Sequence, residues 1–204
     1  VSEIMLQQTQ VDRVLLFYHR WLKAFPTWKR LAGATNAQVI HAWAGLGYNR
    51  RALMLRDIAK QITQKGVPLT QEEWRALKGI GDYTAAAVSA FAFGERVIPI
   101  ATNIRRVLGR LFLGVPYPQP KQDFRLTKFI HDFLSTRRHQ DVPQALFDLA
   151  TDICKKIPEC SRCPLRRACK AAPKFLAGSV RVPKQMVKKA IERRHRDKPY
   201  PDRI

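Results

Sequence analysis

Long apolar runs, acidic side chains and strand-like alternation are all scarce in this sequence. No stretch approaches the ~20 apolar residues that a spanning helix needs, and no signal-peptide pattern is visible. The membrane reading is therefore weak. No run alternates apolar and polar residues; Val97-Ile98-Pro99-Ile100 is a short apolar loop broken by proline. That excludes a β-sheet core, and no internal repeat marks a solenoid. Aspartate and glutamate number 16 against 37 lysines and arginines, a net charge of +21. Charge of that size and sign concerns partners rather than fold. Nucleic acid leads, with an anionic membrane surface the weaker rival. Cysteine is absent outside one window of 16 residues. Nothing suggests secretion, so a disulfide scaffold is set aside. His19, His41, His131, His139 and His195 show no ligand pairing and read as surface or core residues.

What is present is helical. The 204 residues are 46% hydrophobic, enough for one large domain or two small lobes with a real core. Val11, Leu15, Tyr18 and Leu22 recur at helical spacing, as do Leu55, Ile58 and Ile62. Short turn signals, among them Phe25-Pro26-Thr27, Gly45-Leu46-Gly47 and Gly79-Ile80-Gly81, cut the chain into about eight to ten helices. Gly178 to Ile204 is rich in Lys, Arg and Pro and reads as a solvated basic tail or linker.

Two segments carry chemistry. Cys154, Cys160, Cys163 and Cys169 are spaced C-x5-C-x2-C-x5-C. Four thiolates this close can share a tetrahedral zinc or an iron–sulfur cluster. Lys155, Lys156, Arg162, Arg166, Arg167 and Lys170 interleave with them and would present positive charge to an anion. In the second segment a helix ends at Leu77, Gly79 and Gly81 bracket Ile80, and a small-residue helix follows, with Asp82 a plausible N-cap. Such a turn aims backbone N–H groups at a phosphate from a helix N-terminus. Followed by Tyr83-Thr84-Ala85-Ala86-Ala87 in so basic a chain, it reads as a helix–hairpin–helix clamp on a DNA backbone, with Ile80 plugged between its helices.

The opening Ser2-Glu3-Ile4-Met5-Leu6-Gln7-Gln8-Thr9-Gln10-Val11, the hairpin, Trp43-Ala44-Gly45-Leu46-Gly47-Tyr48 and the cysteine loop together resemble the helix–hairpin–helix DNA glycosylases. The nearest resemblance is to the A/G-specific adenine DNA glycosylase family, and it spans residues 1 to about 175. It implies an all-α, endonuclease III-like fold of two helical lobes with a DNA-binding cleft. The hairpin lobe would run from about 15 to 115. The cluster lobe would combine the N-terminal segment with about 116–175, and 176–204 would be the tail. The implied partner is duplex DNA with a mismatch or an oxidised guanine, bound by a monomer in the cytoplasm or nucleoid. The target base would be flipped into a pocket. Glu3 would protonate the adenine leaving group, and Tyr83 would face the sugar of the flipped nucleotide. Gln7, Gln8 and Thr9 would lie near the gap, and Tyr48 would wedge beside the guanine opposite. Leu77, Gly79, Ile80 and Gly81 would clamp the backbone, and the four cysteines would hold a [4Fe–4S] cluster. Lyase-active relatives carry lysine where Tyr83 stands, so the resemblance implies a monofunctional enzyme.

The chain departs from the family pattern in three ways. The family's catalytic aspartate precedes Asn103; here that position is Ala101. A slow or inactive enzyme follows, whether Ala101 is a natural variation or an Asp-to-Ala change, and a lesion-binding protein without turnover is its rival. A thymine or uracil glycosylase at G mismatches is the other alternative, against which the Gln7-Gln8 pair favours adenine. The first two cysteines stand one residue closer than is usual, which keeps zinc as the alternative metal. The family also leads one to expect a segment before Ser2 and a lesion-recognition domain after the tail.

Overall fold

A computed structural model describes residues 1–135 and 139–181. Among them are eleven α-helices, two single turns of 3-10 helix and no strand. The chain divides into two compact units.

The first unit contains residues 1–99, with His139 and Gln140. Its helices are α1 (Ser2–Met5), α2 (Val11–Ala24), α3 (Trp28–Ala32), α4 (Asn36–Trp43), α5 (Arg50–Lys65), α6 (Gln71–Ala76) and α7 (Asp82–Phe93). Threonine starts three of them. Thr27, Thr35 and Thr70 each accept the backbone N–H three residues on. Gln38 and Glu73 return the bond to the caps of α4 and α6, completing two capping boxes. The core gathers Met5, Trp21, Leu31, Val39, Trp43, Leu55, Ile58 and Ile62. Trp21 and Trp43 are fully buried and meet edge to face at 5.3 Å. Burial of side chains this large contributes about 2–3 kcal/mol each.

The second unit contains residues 100–135 and 141–181. Here α8 (Thr102–Leu113) packs against α9 (Asp123–Phe133) and α10 (Asp141–Asp152), and α11 (Ala172–Leu176) ends the described chain. Ile104, Val107, Leu108 and Leu111 of α8 are buried, as are Leu126, Leu146 and Ala150. Phe112 stacks on Phe129 at 4.8 Å.

In the first unit α1 packs on α2, α5 and α7, because Ile4 and Met5 are buried in their core, and this unit's main segment ends at Pro99. Two expectations need correcting. In α2 the helix forms as expected but its buried face differs. Val14 and Trp21 are buried, whereas Val11, Leu15 and Leu22 are 60%, 54% and 38% exposed. Asp82 is the first residue of α7, not its cap; Gly81 holds the cap position without a side-chain bond. Most of the expected tail, from residue 182 on, lies outside the described residues.

Candidate active site

Glu3 and Tyr83 lie 80 residues apart in sequence and meet in the first unit. Glu3 stands in the first turn of α1 and Tyr83 in the first turn of α7. The Tyr83 hydroxyl donates to Glu3 Oε2 at 3.2 Å. Burial raises the pKa of the Glu3 carboxyl above its ordinary value, and the Tyr83 bond offsets part of that rise. The Tyr83 phenol is also raised, first by burial and then by the Glu3 charge. The pair thus holds a carboxyl that keeps its proton longer than a solvated one, which is what proton donation to a leaving group requires.

The hairpin leads directly into the helix that carries Tyr83. Leu77 and Ile80 are 6% and 8% exposed, and the Ile80 N–H bonds the Leu77 carbonyl at 3.0 Å. Gly79 has φ +100°, and a Cβ there would meet the Met54 side chain at 2.6 Å, so only glycine fits. Because Gly81 has no side chain, the first-turn N–H groups of α7 carry no side-chain cap.

Gln7, Gln8 and Tyr48 line one pocket of about 300 Å³ together with Asn49, Arg50 and Arg51. Tyr48 is 64% exposed, so it is no core residue. The Thr9 hydroxyl is turned inward instead, accepting from Arg51 at 3.1 Å and donating to the Gln7 carbonyl at 3.4 Å.

In the second unit Ala101 is the N-cap of α8, with extended backbone (φ −82°, ψ 172°) and no side-chain bond. The Asn103 Oδ1 accepts its neighbour Ile104's N–H at 3.1 Å. The cysteine loop leaves α10 and returns to α8. The N–H groups of Lys170 and Ala171 bond the carbonyls of Leu111 and Arg110 at 3.1 Å each. Two arginines of α8 hold its start. Arg106 donates to the Cys154 carbonyl at 2.7 Å and the Ala150 carbonyl at 2.9 Å. Arg110, 2% exposed, donates to the carbonyls of Lys155 and Lys156 at 2.6 and 2.8 Å and lies 3.4 Å from Cys154 Sγ. Burial raises the pKa of the Cys160 thiol, and the charges of Cys169, Cys154 and Cys163 raise it further. The four sulfurs therefore share one neighbourhood. Among the described residues no His, Cys, Asp or Glu group converges tightly enough for a single metal ion. The interleaved cations are exposed, but Glu159 pairs with two of them, Lys155 at 2.9 Å and Arg162 at 2.7 Å.

Sequence reasoning missed Arg51, Arg106 and Arg110. A signal existed for each. Arg50 and Arg51 open α5 at the end where the helix dipole disfavours cations. Arg106 and Arg110 sit four apart among the apolar residues of α8.

Described residues that are helical throughout, with a glycine hairpin leading into the helix that carries Tyr83 to a partly buried acid, have the build of a helix–hairpin–helix protein that works on DNA. The chain belongs to the HhH-GPD superfamily of base excision DNA repair proteins, whose family model matches residues 1–130. It is 38% identical over 176 residues to the adenine DNA glycosylase of Mycobacterium tuberculosis, covering 81% of this chain and 56% of that one. It is 34% identical over 177 residues to the human adenine DNA glycosylase, covering 84% of this chain and 32% of that one. The chain thus spans from about a third to a little over half of these relatives' length. A thermostable thymine-DNA glycosylase shares the fold, with a TM-score of 0.77 at 23% identity over 85% of this chain and 82% of that one. No described helix is long and apolar enough to cross a membrane.

Proposed function

We propose that this chain is the catalytic core of a monofunctional DNA glycosylase that removes adenine paired with 8-oxoguanine or guanine. The observation that carries the reading is the Glu3–Tyr83 pair, a carboxyl held toward its protonated form at the N-terminus of the hairpin's second helix. Glu3 gives its proton to a ring nitrogen of the flipped adenine. The bond from that base to the sugar C1′ then breaks with its electron pair going to the base. Water adds at C1′ and loses a proton. Tyr83 supplies no amine, so no covalent sugar adduct forms through a Schiff base.

Ala101 weakens this catalyst. Positive charge builds on the sugar as the bond breaks, and the alanine offers it no carboxylate. Losing one preorganised group of this kind costs about 10²–10³ in rate. The chain therefore binds A:8-oxoG duplex and releases adenine slowly. The same alanine favours the rival reading, a lesion-binding protein without turnover. Single-turnover assays on A:8-oxoG, A:G, T:G and U:G duplexes, with the chain and with Ala101→Asp, decide between them. Adenine release that Ala101→Asp accelerates supports the glycosylase. Tight binding with no release by either protein supports the rival, and release of thymine or uracil instead of adenine refutes the substrate.

The donor set of the second unit suits a [4Fe–4S] cluster: four thiols in one neighbourhood, with an arginine beside one sulfur. Cys154, Cys160, Cys163 and Cys169 would hold it. Bound there, it would supply a structural staple for the loop, and the loop's exposed cations would be available to DNA phosphates. Elemental analysis of anaerobically purified protein should find iron and sulfide; zinc in their place would refute the cluster.

A further inference from the structure

Two turns carry backbone strain, and one buried side chain joins them. Among the described residues the non-glycine positions with positive φ are Gln8, at 56°, and Tyr48, at 50°. Such residues cost on the order of 1–3 kcal/mol each and persist only where the surroundings hold them. Both line the 300 Å³ pocket, approached from segments 40 residues apart in the chain.

Arg51 lies between the two segments and is 7% exposed. Its Nη1 donates to the carbonyls of Ile4, Met5 and Gln7 at 3.0, 2.8 and 2.5 Å. Its Nη2 donates to Thr9 Oγ1 at 3.1 Å and to the carbonyls of Leu46 and Gly47 at 3.3 and 3.0 Å. One nitrogen of the fork thus serves the end of α1, and the other bridges Thr9 to the turn before Tyr48. The guanidinium also lies over the rings of Trp43 and Tyr48, at 5.1 and 5.5 Å from their centroids. A planar fork is needed for this; a lysine ammonium has one nitrogen and cannot reach both sets of acceptors in plane.

We propose that Arg51 is a positioning residue for lesion discrimination: it locks Gln8 and Tyr48 in their strained turns so that both face one pocket, where the base opposite the excised adenine is read. This rests on the glycosylase reading above. In this reading Arg51 acts through the two turns, to which its six hydrogen bonds run. It makes the pocket's shape independent of DNA binding, so no ordering is left to be done when the lesion arrives.

The test compares the Ala101→Asp protein with and without Arg51→Lys. Measured are affinity for A:8-oxoG duplex, affinity for undamaged duplex of the same sequence, and the salt slope of each. Lysine keeps the charge and loses the fork. The preference for A:8-oxoG over undamaged duplex should fall by about tenfold or more, since sub-ångström misplacement of reading groups is costly. Affinity for undamaged duplex and its salt slope should change little, because phosphate contacts carry no sequence information. Should Arg51→Lys not fold, Thr9→Val takes its place. It removes the guanidinium's side-chain acceptor at nearly constant volume and should lower the same preference about threefold. An unchanged preference in the folded variant overturns the inference, as does an equal loss on both duplexes. A parent protein with no preference for A:8-oxoG overturns the glycosylase reading and this inference with it.

Discussion

A carboxyl donates a proton near neutral pH only if its ionised form is made costly, and Glu3 is placed where burial does that. The opposing influence is its own partner: the Tyr83 hydroxyl stabilises the ionised form and pulls the pKa back down. Removing that hydroxyl with Tyr83→Phe should therefore raise the Glu3 pKa further. Carbon-13 NMR of the carboxyl reads this, with a midpoint above the ordinary carboxylate value in the parent and higher still in the variant. The sign for stability follows. With its folded pKa raised, Glu3 contributes stability that is full below its unfolded value and is lost as pH rises through the folded one. Excision should follow the same limb, since the protonated form is the donor: single-turnover rate in the Ala101→Asp protein should fall as pH rises through the Glu3 midpoint. Glu3→Gln should abolish excision and leave lesion binding nearly intact. A Glu3→Gln protein with full activity would remove the acid from the mechanism.

Helix boundaries were the legible part of the sequence, and helix faces were not. Turn signals such as Phe25-Pro26-Thr27 and Gly79-Ile80-Gly81 announce where α3 and α7 begin, because such turns are settled by a few adjacent residues. The buried face of α2 depends on what packs against it. Val11-Leu15-Leu22 and Val14-Trp21 are both helical stripes, and only the tertiary partners of Trp21 select the second. The arginines that organise the sites were missed for a related reason: their placement in the helices is a signal, but the acceptors are not, and four of the six that Arg51 bonds lie more than 40 residues away. The family string pointed to Glu3, Tyr83 and Tyr48, but nothing local shows that Glu3 and Tyr83 meet. Ala101 is the element-scale test of the missing carboxylate. Its extended backbone at the N-cap of α8 suits Asp or Asn equally, since either side chain can accept the Asn103 N–H. Both Ala101→Asp and Ala101→Asn should stabilise the fold by about 1 kcal/mol, seen as a raised melting temperature. Only Asp should revive excision, by about 10²–10³, because only a charge steadies the oxocarbenium-like sugar. If Asn revives it equally, the gain is from capping and the aspartate position is misassigned.

At the scale of the whole molecule the +21 charge favours a polyanionic partner, and each phosphate neutralised should contribute about −0.9 to the slope of log K against log salt. The resemblance to this family leads us to expect roughly four to eight contacts. The cysteine loop shows that not every cation is equally available for them. Lys155 and Arg162 both hold Glu159, whose carboxyl they keep below its ordinary pKa, so at neutral pH it stays ionised and competes with phosphate for them. Lys156 and Arg167 stand on the same exposed loop outside that triad. Lys156→Ala and Arg167→Ala should therefore weaken binding to every duplex alike and each flatten the salt slope by about 0.9, whereas Lys155→Ala and Arg162→Ala should do less. Glu159→Gln carries the argument furthest, because it introduces no new cation and, while removing one negative charge, releases two cations already there. It should strengthen binding to damaged and undamaged duplex equally and steepen the slope by up to about 1.8, two phosphates' worth. Fluorescence anisotropy across a salt series measures all three quantities. A Glu159→Gln protein with parental slope would mean that Lys155 and Arg162 face away from the DNA, and the loop's contact would then rest on Lys156, Arg166, Arg167 and Lys170 alone.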